Sequence, residues 1–362
     1  MAKILLLFHA LSSGEYSYAG MEKMLIWLGN SLAEENNDVT FCTLYDRIPS
    51  EKYSAKVKSI ELGIPYYSNF FKRNVFLFRK ALCRLNEIFS KHHYDYVVNF
   101  GDTAFFLALF LKVRFPFSLI TSERGDPFHN NGFTDKLRRK LMRYSSRVIF
   151  QTQGARAFYS NISSQKSCII PNPVIIPSKQ WNYWDTDDHI CYLGRLEFTQ
   201  KRIDILLKAF QEVLTVYPKY VLDMYGTGEI VKATALCETL GITANVVFHG
   251  AIDNINECLS KSRVFVLTSD YEGIPNALLE AMSLGMPVVS TDCSPGGAAL
   301  VIDNNKNGLI VSCGEYHKVS EAICYLIGHP QESMRMGDLA RKSMSLYSEK
   351  EILKLWKTVF HQ

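Results

Sequence analysis

The chain has 362 residues, enough for two ordinary domains, and its 47% hydrophobic residues can supply both with cores. Nine cysteines without a C-x-x-C pair argue against a structural zinc and for reduced thiols in the cytosol, and the interior apolar run Ala104–Leu111 is too short to cross a bilayer. The net charge of +4 divides unevenly: residues 1–176 hold 23 basic against 14 acidic side chains, a balance of +9, and the rest hold 17 against 22, a balance of −5.

Lys3–Phe8 reads as a buried parallel strand rather than a secretory leader. A loop with Gly14 and Gly20 leads into a helix from Met21, the opening of a doubly wound fold. No G-x-G-x-x-G is present, so a dinucleotide site is excluded there. Strands are predicted at DVTFCTLY, VKSIEL, Tyr94–Phe100, FSLITS and Arg147–Thr152, with helices at Val75–His92 and Thr103–Leu111. Glu123, Arg124 and Asp126 follow FSLITS at the carboxyl end of a strand, where sites in such sheets lie. Two basic runs, Lys72–Lys80 and Lys136–Arg143, mix cations with apolar residues. Such a mixture suits an anionic membrane surface or an anionic acceptor, and also an ordinary solvated helix face. Nucleic acid is disfavoured because no recognised motif accompanies the runs.

Pro171–His189 is rich in prolines and turn formers and is expected to hold the boundary, with residues 177–189 as linker and the D-x-D at Asp185–Asp187 a linker feature rather than a metal site. The alternation then restarts: the strand HICYLG, the loop RLEFTQK with Arg195 and Lys201, and a helix with Ile203, Leu206, Leu207, Phe210 and Val213 on one face. In Ser269–Gly285, Pro275 is expected at the first position of a helix that ends at Gly285. Glu272 and Glu280 flank the backbone N–H groups of Asn276, Ala277 and Leu278, so an anion and several hydroxyls could be held together, as in a nucleotide sugar. The chain is helical from Lys318, and its last helix, in residues 346–362, puts Ile352, Leu353, Leu355, Trp356 and Phe360 on an apolar face.

The blocks GRLEFTQKRID, YGTGE, FHG, TSDYEGIPNALLEAMSLGMPVVSTD and NGLIV, in this order, resemble the family 4 retaining glycosyltransferases of the GT-B fold, with the E-x7-E signature at Glu272 and Glu280. The first half matches more loosely, through Gly20 with Glu22, SERGDP and PNPV, in a texture similar to bacterial polysaccharide and lipid-linked glycan assembly enzymes. The resemblance implies two Rossmann-like doubly wound domains facing a cleft: an acceptor domain at residues 1–176, a nucleotide-sugar domain at 190–345 and a C-terminal helix crossing back to the first. It places Arg195 and Lys201 on the donor diphosphate, Glu272 and the Gly273, Ile274, Pro275, Asn276, Ala277 and Leu278 backbone on sugar and phosphate, and Glu280 on the ribose. Gly250 and Ala251 would meet the base, and Gly14 and Gly20 would let the first loop approach the diphosphate. Ala19–Gly20 replaces the usual glycine pair, and Ser122–Glu123–Arg124 stands where many members carry a histidine. Acceptor positioning therefore falls to Glu123, Arg124 or Asp126.

The function this implies is transfer of a hexose (Glc, Gal, GalNAc or GlcNAc type) from a UDP-sugar, with retention, to a glycan or polyprenyl-linked acceptor in bacterial surface glycoconjugate synthesis. Arg195, Lys201 and Glu272 would be catalytic, and no metal or cofactor would be required. The expected location is the cytoplasm, at the inner face of the membrane where the basic half attaches. A UDP-sugar epimerase of the same architecture, or a non-catalytic subunit binding a sugar nucleotide, would share most of these features.

Overall fold

Apolar runs buried on both faces build the two parallel sheets of the molecule, as strands covered by helices on each side require. The computed structural model describes residues 1–8, 20–45, 52–64, 76–129, 132–252 and 254–360. The chain divides into two compact units, Met1–Ile170 with Leu353–Gln362, and Pro171–Ile352.

In the first unit the elements run β1 (Lys3–Phe8), α1 (Gly20–Glu34), β2 (Asp38–Thr43), β3 (Lys58–Glu61), α2 (Phe78–Lys91), β4 (Tyr96–Phe100) and α3 (Asp102–Lys112). They continue with β5 (Ser118–Ser122), α4 (Phe133–Leu141), β6 (Arg147–Phe150), α5 (Gln153–Phe158) and β7 (Ser167–Ile169). The seven strands lie in the order β3-β2-β1-β4-β5-β6-β7, with every pairing parallel. Ile4 to Phe8 of β1 are at most 1% exposed, which explains why KILLLF reads as an unbroken apolar run.

The second unit runs β8 (His189–Leu193), α6 (Ile203–Val216), β9 (Val221–Tyr225), α7 (Ile230–Leu240), β10 (Val246–Gly250), α8 (Ile255–Lys261), β11 (Val264–Leu267), α9 (Asn276–Leu284), β12 (Val288–Thr291), α10 (Gly297–Val301) and β13 (Leu309–Val311). Helices α11 (Tyr316–Gly328), α12 (Pro330–Ser343) and α13 (Glu349–Phe360) follow. The six strands, again all parallel, lie in the order β10-β9-β8-β11-β12-β13. The predicted apolar face of α6 is buried throughout, with Ile203, Leu206, Leu207, Phe210 and Val213 all at 0% exposure. Both sheets are thus doubly wound, as expected.

The boundary and linker readings need correction. The division falls between Ile170 and Pro171, and the stretch expected to be a linker packs into the second unit. Trp181 and Tyr183 are buried there, the indole N–H donating to Ser262 O at 2.9 Å and the Tyr183 hydroxyl to Ile327 O at 3.0 Å. The end of α13 belongs with the first unit, as the resemblance implies: Trp356 is fully buried beneath the Arg124 guanidinium at 5.5 Å, the Phe360 ring meets Tyr96 edge-on, and Tyr96 O–H donates to Phe360 O. Leu355, expected on the apolar face of this helix, is 41% exposed. No helix among the described residues is long and apolar enough to cross a membrane.

Candidate functional site

In the second unit the chain order reverses between β8 and β11, the adjacent strands at which the sheet begins to grow in the other direction. Ligands of open α/β sheets bind at such a point, beyond the carboxyl ends of the strands. Two loops arise there, residues 194–202 after β8 and 268–275 after β11. Lys201 of the first meets Glu272 of the second: its Nζ donates to Oε1, and the two side chains are 13% and 10% exposed.

Both partners are held from behind. The Glu272 N–H donates to Ser294 O at 2.7 Å, and the Ser269 hydroxyl donates to Oε1 of Glu272 at 2.8 Å. The Thr268 hydroxyl reaches the carbonyls of Lys201 and Arg202 at 3.0 and 3.1 Å. Arg202 adopts a left-handed conformation (φ 49°) and bonds Asp204 at 3.0 Å and Asp270 at 2.8 Å, which raises its pKa above the ordinary value. The turn that presents Lys201 is therefore fixed by its neighbours on either side.

Arg195 is more open, its side chain 57% exposed and paired with Glu197. Its Nη2 donates to Oε1 of Gln200 at 2.8 Å, and Gln200 in turn donates through Nε2 to Tyr271 O at 3.0 Å. Gln200 thereby ties the two loops together. The Tyr192 hydroxyl donates to Arg195 O at 2.7 Å, and burial holds this phenol well above its ordinary pKa. Under the same loop the YGTGE block makes its contact: Gly226 (φ 138°) lies so close that a Cβ would stand 1.9 Å from Gly194 O. Only glycine fits that crossing.

Helix α9 starts at Asn276, one residue later than expected, with Pro275 outside it in an extended conformation. Among the described residues no backbone acceptor takes the N–H groups of Asn276 and Ala277. Leu278 N–H, expected to be available, instead donates to Pro275 O at 3.1 Å, which leaves Asn276 and Ala277 of the three predicted donors. Buried Asn172 fixes this end, donating through Nδ2 to Asn276 Oδ1 at 2.7 Å and to Ile274 O at 3.4 Å. The side chains of Ile274 and Leu278 are buried in the core, which leaves only their backbones for a ligand. Gly273 is pressed against Gly297, the first residue of α10, where a Cβ on Gly297 would stand 1.8 Å from Gly273 O. Glu280 is half-buried one turn into α9. Gly250 ends β10 at the sheet edge, two strands from β8, and Ala251 beyond it is exposed.

In the first unit Gly14 lies outside the described residues, and Gly20 is the exposed first residue of α1. Glu123 is occupied: Arg138 Nη2 contacts its Oε2 at 2.6 Å, and the Tyr159 hydroxyl donates to the same oxygen at 2.8 Å. Arg138 also contacts Asp102 at 2.9 Å. Burial and then the Glu123 charge push the Tyr159 phenol well up, so it stays a donor. Arg124 donates to Ser122 Oγ at 2.7 Å and to Ile170 O at 3.2 Å, and Asp126 accepts from Phe128 N–H at 2.9 Å in a local turn. The expected acceptor trio is thus engaged in the fabric of the unit.

Sequence reasoning missed Gln200, Ser269, Asn172 as a clamp, and Gly297. The Pro-Gly-Gly run at 295–297 was the available signal for the last of these.

Residues 187–329 match the profile of the family Glycosyl transferases group 1. An uncharacterized glycosyltransferase of Haemophilus influenzae is 26% identical over 351 residues, covering 95% of this chain and 96% of that protein. A Campylobacter jejuni GalNAc-alpha-(1->4)-GalNAc-alpha-(1->3)-diNAcBac-PP-undecaprenol alpha-1,4-N-acetyl-D-galactosaminyltransferase is 23% identical over 87% of this chain and 86% of its own. Among solved structures, a mutant of Staphylococcus aureus TarM with fondaparinux, alpha-GlcNAc-glycerol and UDP superposes at a TM-score of 0.82 with 16% identity over the full length of both chains. Anabaena Alr3699/HepE with UDP and glucose superposes at 0.81 with 18% identity, again over both full chains. The motifs, the two doubly wound sheets and these likenesses agree with the family 4 glycosyltransferases of the GT-B fold that the sequence resembles.

Proposed function

We propose that the enzyme transfers a hexose from a UDP-sugar, with retention, to a hydroxyl of a glycan or polyprenyl-linked acceptor in bacterial surface polysaccharide or glycoconjugate synthesis. The observation that carries this reading is the Lys201–Glu272 pair at the β8/β11 switch point, beside the N-terminus of α9. The bond between the anomeric carbon and the diphosphate breaks, the acceptor oxygen bonds the same face of that carbon and passes its proton to the departing diphosphate oxygen, and UDP leaves. An ammonium has three donors. One of Lys201's serves Glu272, and in this reading the others donate to phosphate oxygens together with Arg195 and the Asn276 and Ala277 N–H groups. Charge on the departing diphosphate is then stabilised by fixed donors, without a metal. Glu272 accepts from a sugar hydroxyl, Glu280 from the ribose, and Gly250 with Ala251 borders the base. The UDP bound in TarM and HepE and the undecaprenol-linked substrate in the name of the Campylobacter relative support donor and acceptor class.

The test is thermal unfolding with UDP, GDP and ADP in turn, with and without a chelator. Ligand at one hundred times its dissociation constant adds about 2.7 kcal/mol. A rise in Tm with UDP that survives chelation is expected, whereas a rise that needs divalent metal, or one with GDP or ADP in place of UDP, would sink this reading.

A further inference from the structure

A cavity of about 250 Å³ lies in the first unit at the amino ends of β4, β5 and β6, the opposite end of these strands from Glu123 and Arg124. Ligand sites of doubly wound sheets sit at the carboxyl ends, so this cavity is separate from an acceptor site there. Tyr96, Ser118 and Arg147 line it, each the first residue of its strand, together with Ser146, Gln165 and Lys166. The buried side chains of Ile120 and Val359 give it an apolar wall. The strand register explains the grouping: Tyr96 pairs with Ser118 and Ile120 with Arg147, so these four side chains stand on one face of the sheet.

The polar groups that border this space are set up to donate. Ser146 Oγ accepts from Lys112 Nζ at 2.9 Å and from Leu119 N–H at 3.2 Å, which occupies both of its lone pairs and leaves its own O–H to donate. Lys166 gives one N–H to Arg143 O at 3.2 Å and retains two. Arg147 spends Nη1 on Gln165 O, a contact that fixes the guanidinium against the turn before β7. Among the described residues no carboxylate lines the cavity. The cations feel one another as well: burial and then the Lys166 charge lower the pKa of Lys112, the lysine that supports Ser146. Two cations and two hydroxyls around one space match a tetrahedral oxyanion, which offers acceptors on every side. The volume is just below the ~300–1,000 Å³ usual for drug-sized ligands, so it suits a small phosphorylated molecule rather than a whole nucleotide. We propose that this cavity is a second anion site, taking the phosphate monoester of a small soluble molecule between Arg147 and Lys166, with Ser118 and Ser146 donating to it. The site stands whatever sugar donor the second unit takes.

The experiment is calorimetric titration of the full chain, at fixed ionic strength, with inorganic phosphate, with a hexose 6-phosphate and with the parent hexose. Saturable binding of both phosphates and none of the neutral sugar is expected, and Lys201→Ala should leave it intact. Lys166→Gln and Arg147→Gln should each weaken phosphate binding at least tenfold, the scale of losing one hydrogen bond to a charged group. Lys166 is exposed, so Lys166→Gln should keep the wild-type Tm, and its loss of binding is then not unfolding. No phosphate binding up to tens of millimolar overturns the proposal, and so does equal binding by wild type and both cavity variants. Binding lost in Lys201→Ala but kept in Lys166→Gln would assign the anion to the second unit and likewise overturn it. A short-chain phosphatidic acid bound in place of either soluble phosphate would make the ligand a lipid headgroup, against the proposal. UDP affinity is a separate reading on the same samples, so a failure of the donor assignment and a failure of this one are told apart.

Discussion

Lys201 and Glu272 come from loops 71 residues apart in the sequence and form one ion pair, the cation following β8 and the carboxylate following β11. Neither is a solvated surface charge. Such a pair places a positive and a negative group at fixed positions side by side, one suited to phosphate and the other to sugar hydroxyls.

Lys201→Ala should lower turnover by roughly two to three powers of ten, the scale for losing one preorganised donor. UDP release in the presence of donor and acceptor is the readout. Turnover near the wild-type rate would remove Lys201 from the chemistry and leave it a purely structural partner of Glu272.

Gly297→Ala tests the support behind the Gly273 loop. The added methyl would stand 1.8 Å from Gly273 O, so backbone must move. The expected result is a folded protein whose affinity for UDP falls by about tenfold or more, read by calorimetric titration. Unchanged affinity would show that the Gly273 loop can shift without consequence for the nucleotide.

Glu123→Ala separates scaffold from acceptor site. It leaves the buried Arg138 guanidinium without its main counter-charge, and breaking such a pair costs about 3–5 kcal/mol. Chemical denaturation followed by near-ultraviolet circular dichroism should show the first transition at markedly lower denaturant, with UDP affinity preserved. Wild-type stability with a raised acceptor KM would instead return Glu123 to the acceptor.

Alkaline pH should destabilise the chain through its buried thiols. Burial pushes Cys42 in β2 up to about 12 from 9.0, and Cys293 also to about 12. A raised folded-state pKa contributes stability that is complete below pH 9 and is lost as pH rises towards 12, because the unfolded thiol releases its proton first. Each thiol contributes a slope of about 1.4 kcal/mol per pH unit in that window. Thermal unfolding from pH 8 to 11 should show this decline, and Cys42→Ala should have a shallower slope. An identical slope would exclude Cys42 from the titration.

The strands were legible because runs such as those of β1 and β6 are apolar on both faces, a pattern that survives without knowledge of neighbours. The loop and helix that carry Glu272, Asn276 and Glu280 were legible for a related reason: they form one continuous stretch whose helix is bounded by Pro275 and Gly285. Helix α7 left little trace, since only Ala233 and Cys237 of it are buried and its apolar stripe is thin. The Glu123–Arg138 ion pair was not legible, because Arg138 is one of five similar cations in residues 133–144 and only the packing of α4 singles out the one that turns inward. Gln200 escaped for the same reason in miniature, as its value lies in spanning two loops.

The first unit is discontinuous, comprising the beginning of the chain and Leu353–Gln362 with Trp356 at its centre. On the ribosome, all of Pro171–Ile352 must therefore emerge before the first unit can close over its own tryptophan. Domains generally fold in the order of synthesis. Here the first unit waits, incomplete, until the segment from Leu353 has been made, and a nonsense codon ahead of Trp356 would damage the unit begun earlier as well as the chain that follows it.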